Sequence, residues 1–214
     1  MTIIAIDGPA ASGKSSVSKR LARRLGFSYV NSGSMYRAVT WELLRQGVDP
    51  SNPDSVKISL DSMELGCGFT PEGESFIRIN AQTPDAELTQ SVVNNNVSTV
   101  SAIPAVRQLI VARLRALVNE RDVVMEGRDI GSAVFPDAPH KFYLDASPEI
   151  RRLRRAAEGQ TDSIDLRDKQ DSSRADAPLQ VAKGACVVDT SHLTLDDVVE
   201  KIAQLLAAAG LHPR

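Results

Sequence analysis

Eight consecutive residues carry the clearest chemistry in the chain: Gly8-Pro9-Ala10-Ala11-Ser12-Gly13-Lys14-Ser15. The spacing G-x-x-x-x-G-K-[ST] is that of a phosphate-binding loop, whose backbone N–H groups cradle phosphates at a helix N-terminus. Gly8 and Gly13 permit backbone geometry that a side chain would obstruct, and let the chain approach a polyanion. Lys14 can reach the β and γ phosphates, and the Ser15 hydroxyl can hold Mg2+. A strand must deliver such a loop and a helix must receive it. Ile3-Ile4-Ala5-Ile6 supplies the apolar run before it, and Val17, Leu21, Ala22 and Leu25 recur at helical spacing after it. A glycine-containing turn with an ordinary surface lysine does not account for that context. A nucleoside triphosphate is the expected ligand.

A second constellation is Glu126-Gly127-Arg128-Asp129, directly after the apolar run Val123-Val124-Met125. Glu126 falls where enzymes with this loop often carry the acid that orients Mg2+ and its waters. A structural turn with a surface ion pair is the alternative. Arginines supply further charge: Arg37, Arg107, Arg128, Arg151, Arg154, Arg155, Arg167 and Arg174 are candidates for anion contacts. Bringing two polyanions together needs many cations, and the planar guanidinium pairs bidentately with phosphate oxygens. For the run Arg151 to Arg155 a solvated helix face competes with that reading.

The elements that must position these residues alternate. Gly26 ends the first helix, Ser28-Tyr29-Val30 reads as a short strand, and Ser32 opens a helix that runs to about Gln46 before Gly47. Asn52-Pro53-Asp54 starts another helix, carrying Val56, Leu60 and Met63. Cys67 to Thr70 and Phe76 to Ile79 flank Pro71-Glu72-Gly73-Glu74 and predict a small hairpin. Ala86 to Ser101 reads as helical but polar. From Pro104 an amphipathic helix presents Val106, Leu109, Ile110, Leu114, Leu117 and Val118. Lys141 to Leu144 and Ala185 to Val188 read as further buried strands. This alternation predicts an α/β fold with a parallel sheet sandwiched by helices. Ligands in such sheets bind beyond the carboxyl ends of the strands, so the loop, Ser32-Gly33, Glu126 to Asp129 and Asp145 are expected on one rim. Residues 65 to 85 and 151 to 177 look like insertions into this plan.

At 214 residues the chain suits one domain with appendages. Its 42% apolar and 24% charged content are ordinary for a globular protein. A net charge of -2 and 4% aromatics argue against extended nucleic acid or an anionic membrane as partner. Cys67 and Cys186 lack C-x-x-C spacing, fit a reduced compartment and read as small buried hydrophobes. Only Met1 and Thr2 precede the first apolar run, so no secretory signal is read. The apolar stretch from Ile202 to Leu211 falls short of the ~20 residues of a membrane span and reads as a helix on the core. A soluble, cytoplasmic monomer is expected.

In family order and over almost the whole chain, six stretches resemble the bacterial cytidylate kinases, of the nucleoside monophosphate kinase group. They are Ile4 through Ser15, Ser32-Gly33-Ser34-Met35-Tyr36-Arg37, Glu126 through Gly131, Val134-Phe135-Pro136-Asp137-Ala138, Arg174 through Leu179, and Asp189-Thr190-Ser191. The resemblance implies ATP-dependent phosphorylation of CMP and dCMP, with ATP as donor and Mg2+ as cofactor. It implies one P-loop kinase domain over 1–214, with a monophosphate-binding insertion at about 38–103 and a short, mobile arginine-rich lid at about 151–177. ATP would be bound by Gly8, Pro9, Ala10, Ala11, Ser12, Gly13, Lys14, Ser15 and Ser16. Arg37, Arg128 and Arg174 would hold the acceptor phosphate, with Ser32 nearby. Ser98, Arg107 and Asp129 would face the cytosine, while Arg167 and Asp171 would meet the sugar. Lys14, Arg128, Arg155 and Arg174 would act on the transferring group, with Ser15 on Mg2+ and Glu126 reaching it through water. The segment from Ala156 to Leu166 is shorter than the family's usual helical stretch, and Ser132 and Asn31 stand where threonine and aspartate are common.

The chemistry agrees with those assignments. Cytosine presents an amino donor where uracil presents a carbonyl, so a carboxylate such as Asp129 would accept from one and repel the other. A monophosphate is largely dianionic at pH 7 and needs no general base. In-line positioning and charge neutralisation then remain as the main tasks. The competing expectations are a P-loop kinase of another small acceptor (UMP, AMP or shikimate) and a switch that hydrolyses its triphosphate slowly. No N-K-x-D motif supports the switch.

Overall fold

The computed structural model describes residues 1–119, 121–159 and 163–212. Strand β1 (Ile3–Asp7) leads through the phosphate loop into α1 (Lys14–Leu25), then β2 (Ser28–Asn31) and α2 (Ser32–Arg45). Helix α3 (Pro53–Asp61), the hairpin β3 (Leu65–Phe69) and β4 (Ser75–Ile79), and α4 (Ser91–Ser101) follow. Helix α5 (Pro104–Leu117), β5 (Val123–Gly127) and β6 (His140–Asp145) return to the core. Helices α6 (Pro148–Ala157) and α7 (Ile164–Ser172) precede β7 (Cys186–Asp189) and α8 (Leu195–Ala208).

Five strands form one parallel sheet in the order β2-β5-β1-β6-β7, and β3 pairs only with β4. Strand β1 is central, and its side chains alternate between two cores. Ile4 and Ile6 pack with Val17, Leu21 and Leu25 of α1 and with Val199 and Ile202 of α8. Ala5 faces the other way, toward Met35, Val39, Ile110 and Leu114 of α2 and α5. A strand buried on both faces needs an unbroken apolar run, which is why the first strand was legible.

Polar signals set the helix ends. Asn31 accepts a hydrogen bond from the Ser34 N–H, and Asn52 accepts from Asp54 and Ser55 with Pro53 in the first turn. Thr194 and Asp197 form a reciprocal capping box at α8. The carboxyl ends of β1, β2, β5 and β6 open on one rim, as the strand order requires for ligand binding at a switch point.

Four local readings change. The hairpin begins at Leu65 rather than Cys67. The stretch after Ala86 divides into a short 3-10 turn, Ala86–Thr89, and α4, whose Val93, Val97 and Val100 are buried. Its asparagines and serines masked that apolar face. Cys186 is exposed rather than buried, because β7 is the sheet's outer strand; Cys67 is half-buried, and both thiols are free. A single π-helical turn at Ile130–Val134, directly after Asp129, was not anticipated. No single helix among the described residues is long and apolar enough to cross a membrane. Gln160, Thr161 and Asp162, which belong to the shortened stretch, lie outside the described residues.

The hairpin is tied back to the core. The Tyr29 N–H donates to the Gly73 carbonyl at 3.0 Å. Glu74 pairs with Lys19 and Arg23 of α1, each at 2.9 Å.

Candidate active site

The phosphate loop is built around a close approach. Gly8 has φ +151°, and a Cβ there would lie 2.0 Å from the Leu144 carbonyl oxygen at the end of β6. The loop then turns through Ala11, a non-glycine residue at φ 57°. Thr190, after β7, donates its hydroxyl to the Ser12 carbonyl at 3.0 Å and braces the loop from outside. Lys14 opens α1 and is only 6% exposed; its Nζ donates to the Pro9 carbonyl at 2.7 Å. Burial, then repulsion from Arg128, pushes the Lys14 ammonium down to about 7, against the pull of Glu126, Asp168 and Asp7. A cation held there without an anion is poorly solvated, which favours occupation by phosphate.

Glu126, next to last in the buried strand β5, faces the loop. Its carboxylate accepts from the Ser15 hydroxyl at 2.9 Å and from the Tyr29 hydroxyl at 2.5 Å. Burial and the adjacent Glu126 charge push the Tyr29 phenol far above its ordinary range, so it stays a donor. Ser32 donates to the Glu126 carbonyl at 2.8 Å, directly over Gly127. A Cβ on Gly127 would meet the Ser32 Oγ at 2.6 Å, so this glycine lets β2 and β5 deliver their ends together. Ser15 and Glu126 are hard oxygen donors side by side, a set suited to Mg2+ with phosphate oxygens completing the shell. Among the described residues no three His, Cys, Asp or Glu side chains converge into a metal cage.

Across the cleft, three arginines and two aspartates interlock. Asp7, 2% exposed, accepts from the Ile130 and Gly131 N–H groups, each at 2.8 Å. It anchors the π turn and so fixes Asp129; burial pushes its carboxyl up to about 6. Asp129 pairs with Arg107 of α5, whose Nε also lies 3.4 Å from Asp176. Burial raises the Asp129 carboxyl against the pull of Arg107. Asp171 of α7 accepts from Arg128 Nε at 2.9 Å and Ser98 Oγ at 3.1 Å, and pairs with Arg174. Burial opposes its ionisation, but Arg128 and Arg174 outweigh burial and hold its pKa below the usual range. Arg174 also donates to Ser101 at 2.7 Å.

Arg128, Asp129, Asp171 and Arg174 line one cleft of about 230 Å³ with residues of the loop and of α4. Of the residues singled out in the sequence, Ala10, Ala11, Gly13 through Ser16, Ser32, Arg37, Ser98, Glu126, Arg128, Asp129, Arg155, Arg167, Asp171 and Arg174 line it. Gly8, Pro9, Ser12 and Arg107 do not; Arg107 stands behind Asp129. Arg155 reaches the cleft paired with Glu158 at 3.0 Å. Arg151 and Arg154 do not line it.

Sequence reasoning passed over Asp7, Tyr29, Tyr36, Ser101 and Asp168. Tyr36 is buried, lines the cleft, and its hydroxyl has no partner among the described residues. It sits one place before Arg37 in a stretch already noticed, and Asp7 directly precedes Gly8, so adjacency was the available signal.

Burial, and then neighbouring cations, depress several of the cleft's basic groups. Burial lowers Arg37 to about 10, with Arg167 the leading charge against it and Arg128 adding to the effect. Burial lowers Arg174 as well, with Arg107 and Arg128 contributing. Lys14 lines the same cleft as Arg37 and Arg174. A parallel sheet carrying this loop and such a cleft defines a P-loop kinase.

Solved structures agree on the fold alone. A gluconokinase from Sinorhizobium meliloti 1021 superposes with TM-score 0.53 at 16% identity, covering 97% of this chain and 93% of its own. A shikimate kinase from Acinetobacter baumannii gives 0.50 at 15% identity, over 99% and 96%. Sequence is more specific. The family model described as cytidylate kinase matches residues 4–208. A cytidylate kinase of Rhodococcus opacus (strain B4) is 43% identical over 94% of this chain and 92% of its own length. One from Clostridium botulinum (strain Loch Maree / Type A3) is 38% identical over 95% and 96%. The chain belongs to the cytidylate kinase family.

Proposed function

We propose that this chain transfers the γ-phosphoryl group of ATP to CMP and dCMP, giving CDP and dCDP, with the two nucleotides meeting end to end in the cleft. The observation that carries this reading is the single cleft that Lys14 and Ser15 of the loop share with Arg37, Arg128, Asp129 and Arg174, in a chain that the cytidylate kinase family model matches over residues 4–208; burial and neighbouring cations depress Lys14, Arg37 and Arg174 there. Such crowding is relieved by bound phosphates at both ends.

The loop from Gly8 to Ser16 holds the donor phosphates, with Lys14 on the β and γ groups. Arg37, Arg128 and Arg174 hold the acceptor phosphate beside Ser32, and Lys14, Arg128, Arg155 and Arg174 neutralise charge on the transferring group. Asp129, backed by Arg107, accepts from the cytosine amino group, and Ser98 stands alongside. Asp171 and Arg167 face the sugar. Ser15 and Glu126 would hold Mg2+, the latter through water, and the ion would supply charge neutralisation to the donor phosphates. Residues 38–103 serve as the acceptor-binding insertion and 151–177 as the lid that excludes water, the competing acceptor. The protein works as a cytoplasmic monomer on small molecules, without extended nucleic acid or membrane.

ADP release from Mg-ATP is measured with CMP, dCMP, UMP, AMP or GMP, and with no acceptor. Strong signals with CMP and dCMP over a low blank are expected. Activity centred on another acceptor would overturn the assignments of Ser98, Arg107 and Asp129. Acceptor-independent hydrolysis alone would overturn the kinase reading.

A further inference from the structure

One largely buried ion pair outside the cleft touches the phosphate loop at Ala10. Asp168, on α7, accepts a hydrogen bond from the Ala10 N–H at 3.1 Å and pairs with Arg151 of α6. Arg151 in turn donates to the Ala10 carbonyl at 3.3 Å and to the Ala146 carbonyl at 3.1 Å. The side chains are 9% and 17% exposed. Both backbone polar groups of Ala10, in the two peptide units that flank its Cα, are thus held by one carboxylate–guanidinium pair. Neither member lines the cleft.

The position of Asp168 gives this contact a consequence. One turn further along α7 lies Asp171, which holds Arg128 and Ser98, and Arg174 follows directly after the helix. Helix α7 therefore carries acceptor-side groups on one stretch and a grip on the donor loop on the other. At the N-terminal end of the loop, Arg128 Nη1 also donates to the Gly8 carbonyl at 3.1 Å. A second ion pair between α6 and α7, Arg152 with Asp165 at 2.9 Å, is 54% exposed on each side and does not reach the loop. Bracing of the two helices and gripping of the loop are consequently separate tasks.

We propose that Arg151 and Asp168 are positioning residues that couple the donor and acceptor subsites, by locking Ala10 of the phosphate loop to the helix that carries Asp171. This rests on the kinase reading above. When triphosphate fixes the loop, the pair fixes α7, and the monophosphate meets Asp171 and Arg174 already in place. The ordering cost is then met once rather than twice, which is positive cooperativity between the sites.

The test is CMP binding by calorimetry, with and without a saturating non-hydrolysable Mg-ATP analogue, in the wild-type chain and the variants D168A, D168N, R151M and D165A. In the wild type the analogue should tighten CMP binding by about fivefold or more, the lower range of inter-site coupling. D168A and R151M should bring that factor close to one, while CMP binding alone changes little. D168N keeps an oxygen for Ala10 but loses the charge facing Arg151, and should weaken the coupling even if D168A does not fold. D165A should keep it. Undiminished coupling in D168N and R151M overturns the proposal. So does equal loss in D165A, or a parallel fall in CMP binding without the analogue, which would make the pair a simple prop. Failure of the wild type to bind CMP at all would overturn the kinase reading and this proposal with it. Steady-state transfer to CMP by the wild type separates that case from failure of the coupling alone.

Discussion

Arg107 and Asp129 form an ion pair at the wall of the cleft, each only 4% exposed. The Arg107 Nη1 atom has no partner among the described residues, and the guanidinium lies 5.9 Å from the Tyr36 ring centre. Two charges withdrawn from water to this extent gain little net stability from each other. Of the two, Asp129 lines the cleft and Arg107 stands behind it, so under the proposed function the pair holds the Asp129 carboxylate in place as an acceptor.

That arrangement predicts the effect of Asp129→Asn. The amide keeps the carboxylate's shape but can rotate to donate toward a carbonyl, so the CMP-over-UMP preference in kcat/KM should narrow. The loss with CMP should be about 10- to 100-fold, the range of one buried hydrogen bond to a charged group (about 1.5–3 kcal/mol). Asp176, whose side chain is 67% exposed, serves as the control: its asparagine variant should leave the ratio unchanged. An unaltered CMP:UMP ratio in Asp129→Asn would remove Asp129 from base reading.

A second prediction concerns protons rather than rates. Lys14 titrates near 7 because it is buried and faces Arg128. Triphosphate binding supplies the opposing charge and restores the ammonium's usual, higher pKa. At pH 8, then, the free protein carries Lys14 mostly neutral and the complex carries it charged, so binding takes up as much as one proton. Below about pH 6 both states are already protonated and this uptake vanishes. ATP affinity accordingly weakens as pH rises above 7. Calorimetry in buffers of different ionisation enthalpy measures the uptake, and the difference from Lys14→Met isolates the residue. Equal uptake in the two proteins would assign the proton to another group.

What the sequence disclosed and what it hid follow from one physical distinction. Elements defined by local pattern were legible: β1 by its apolar run, α1 and α5 by helical spacing, and the loop by its glycines and lysine. Elements defined by long-range contact were not. Asp7 matters because it caps a turn more than 120 positions away in sequence, at Ile130 and Gly131. Tyr29 matters because β2 lies beside β5 and its hydroxyl meets Glu126. Asp168 was one of several acids on a polar helix until Ala10 and Arg151 came to it. Cys186 was misread for a related reason: only the strand order shows that β7 has an open edge.

Gly8 offers the most direct test of how the loop is built. It combines φ +151° with a would-be Cβ contact of 2.0 Å to the Leu144 carbonyl oxygen and 3.1 Å to Ser12 Oγ. The first contact is with backbone at the end of β6, next to the central strand, so the neighbour cannot turn aside as a side chain would. Gly47 provides the comparison: its φ is +71°, but nothing lies within 4 Å of its would-be Cβ. Gly47→Ala should therefore cost only the left-handed backbone penalty, about 1 kcal/mol. Gly8→Ala adds a steric clash and should cost about 3 kcal/mol or more, at the upper end of single-residue effects. Urea denaturation of both variants reads the difference as a shift in midpoint at constant slope. A Gly8→Ala loss no greater than that of Gly47→Ala would mean that β6 yields to the loop, and that the close approach does not hold the phosphate cradle in shape.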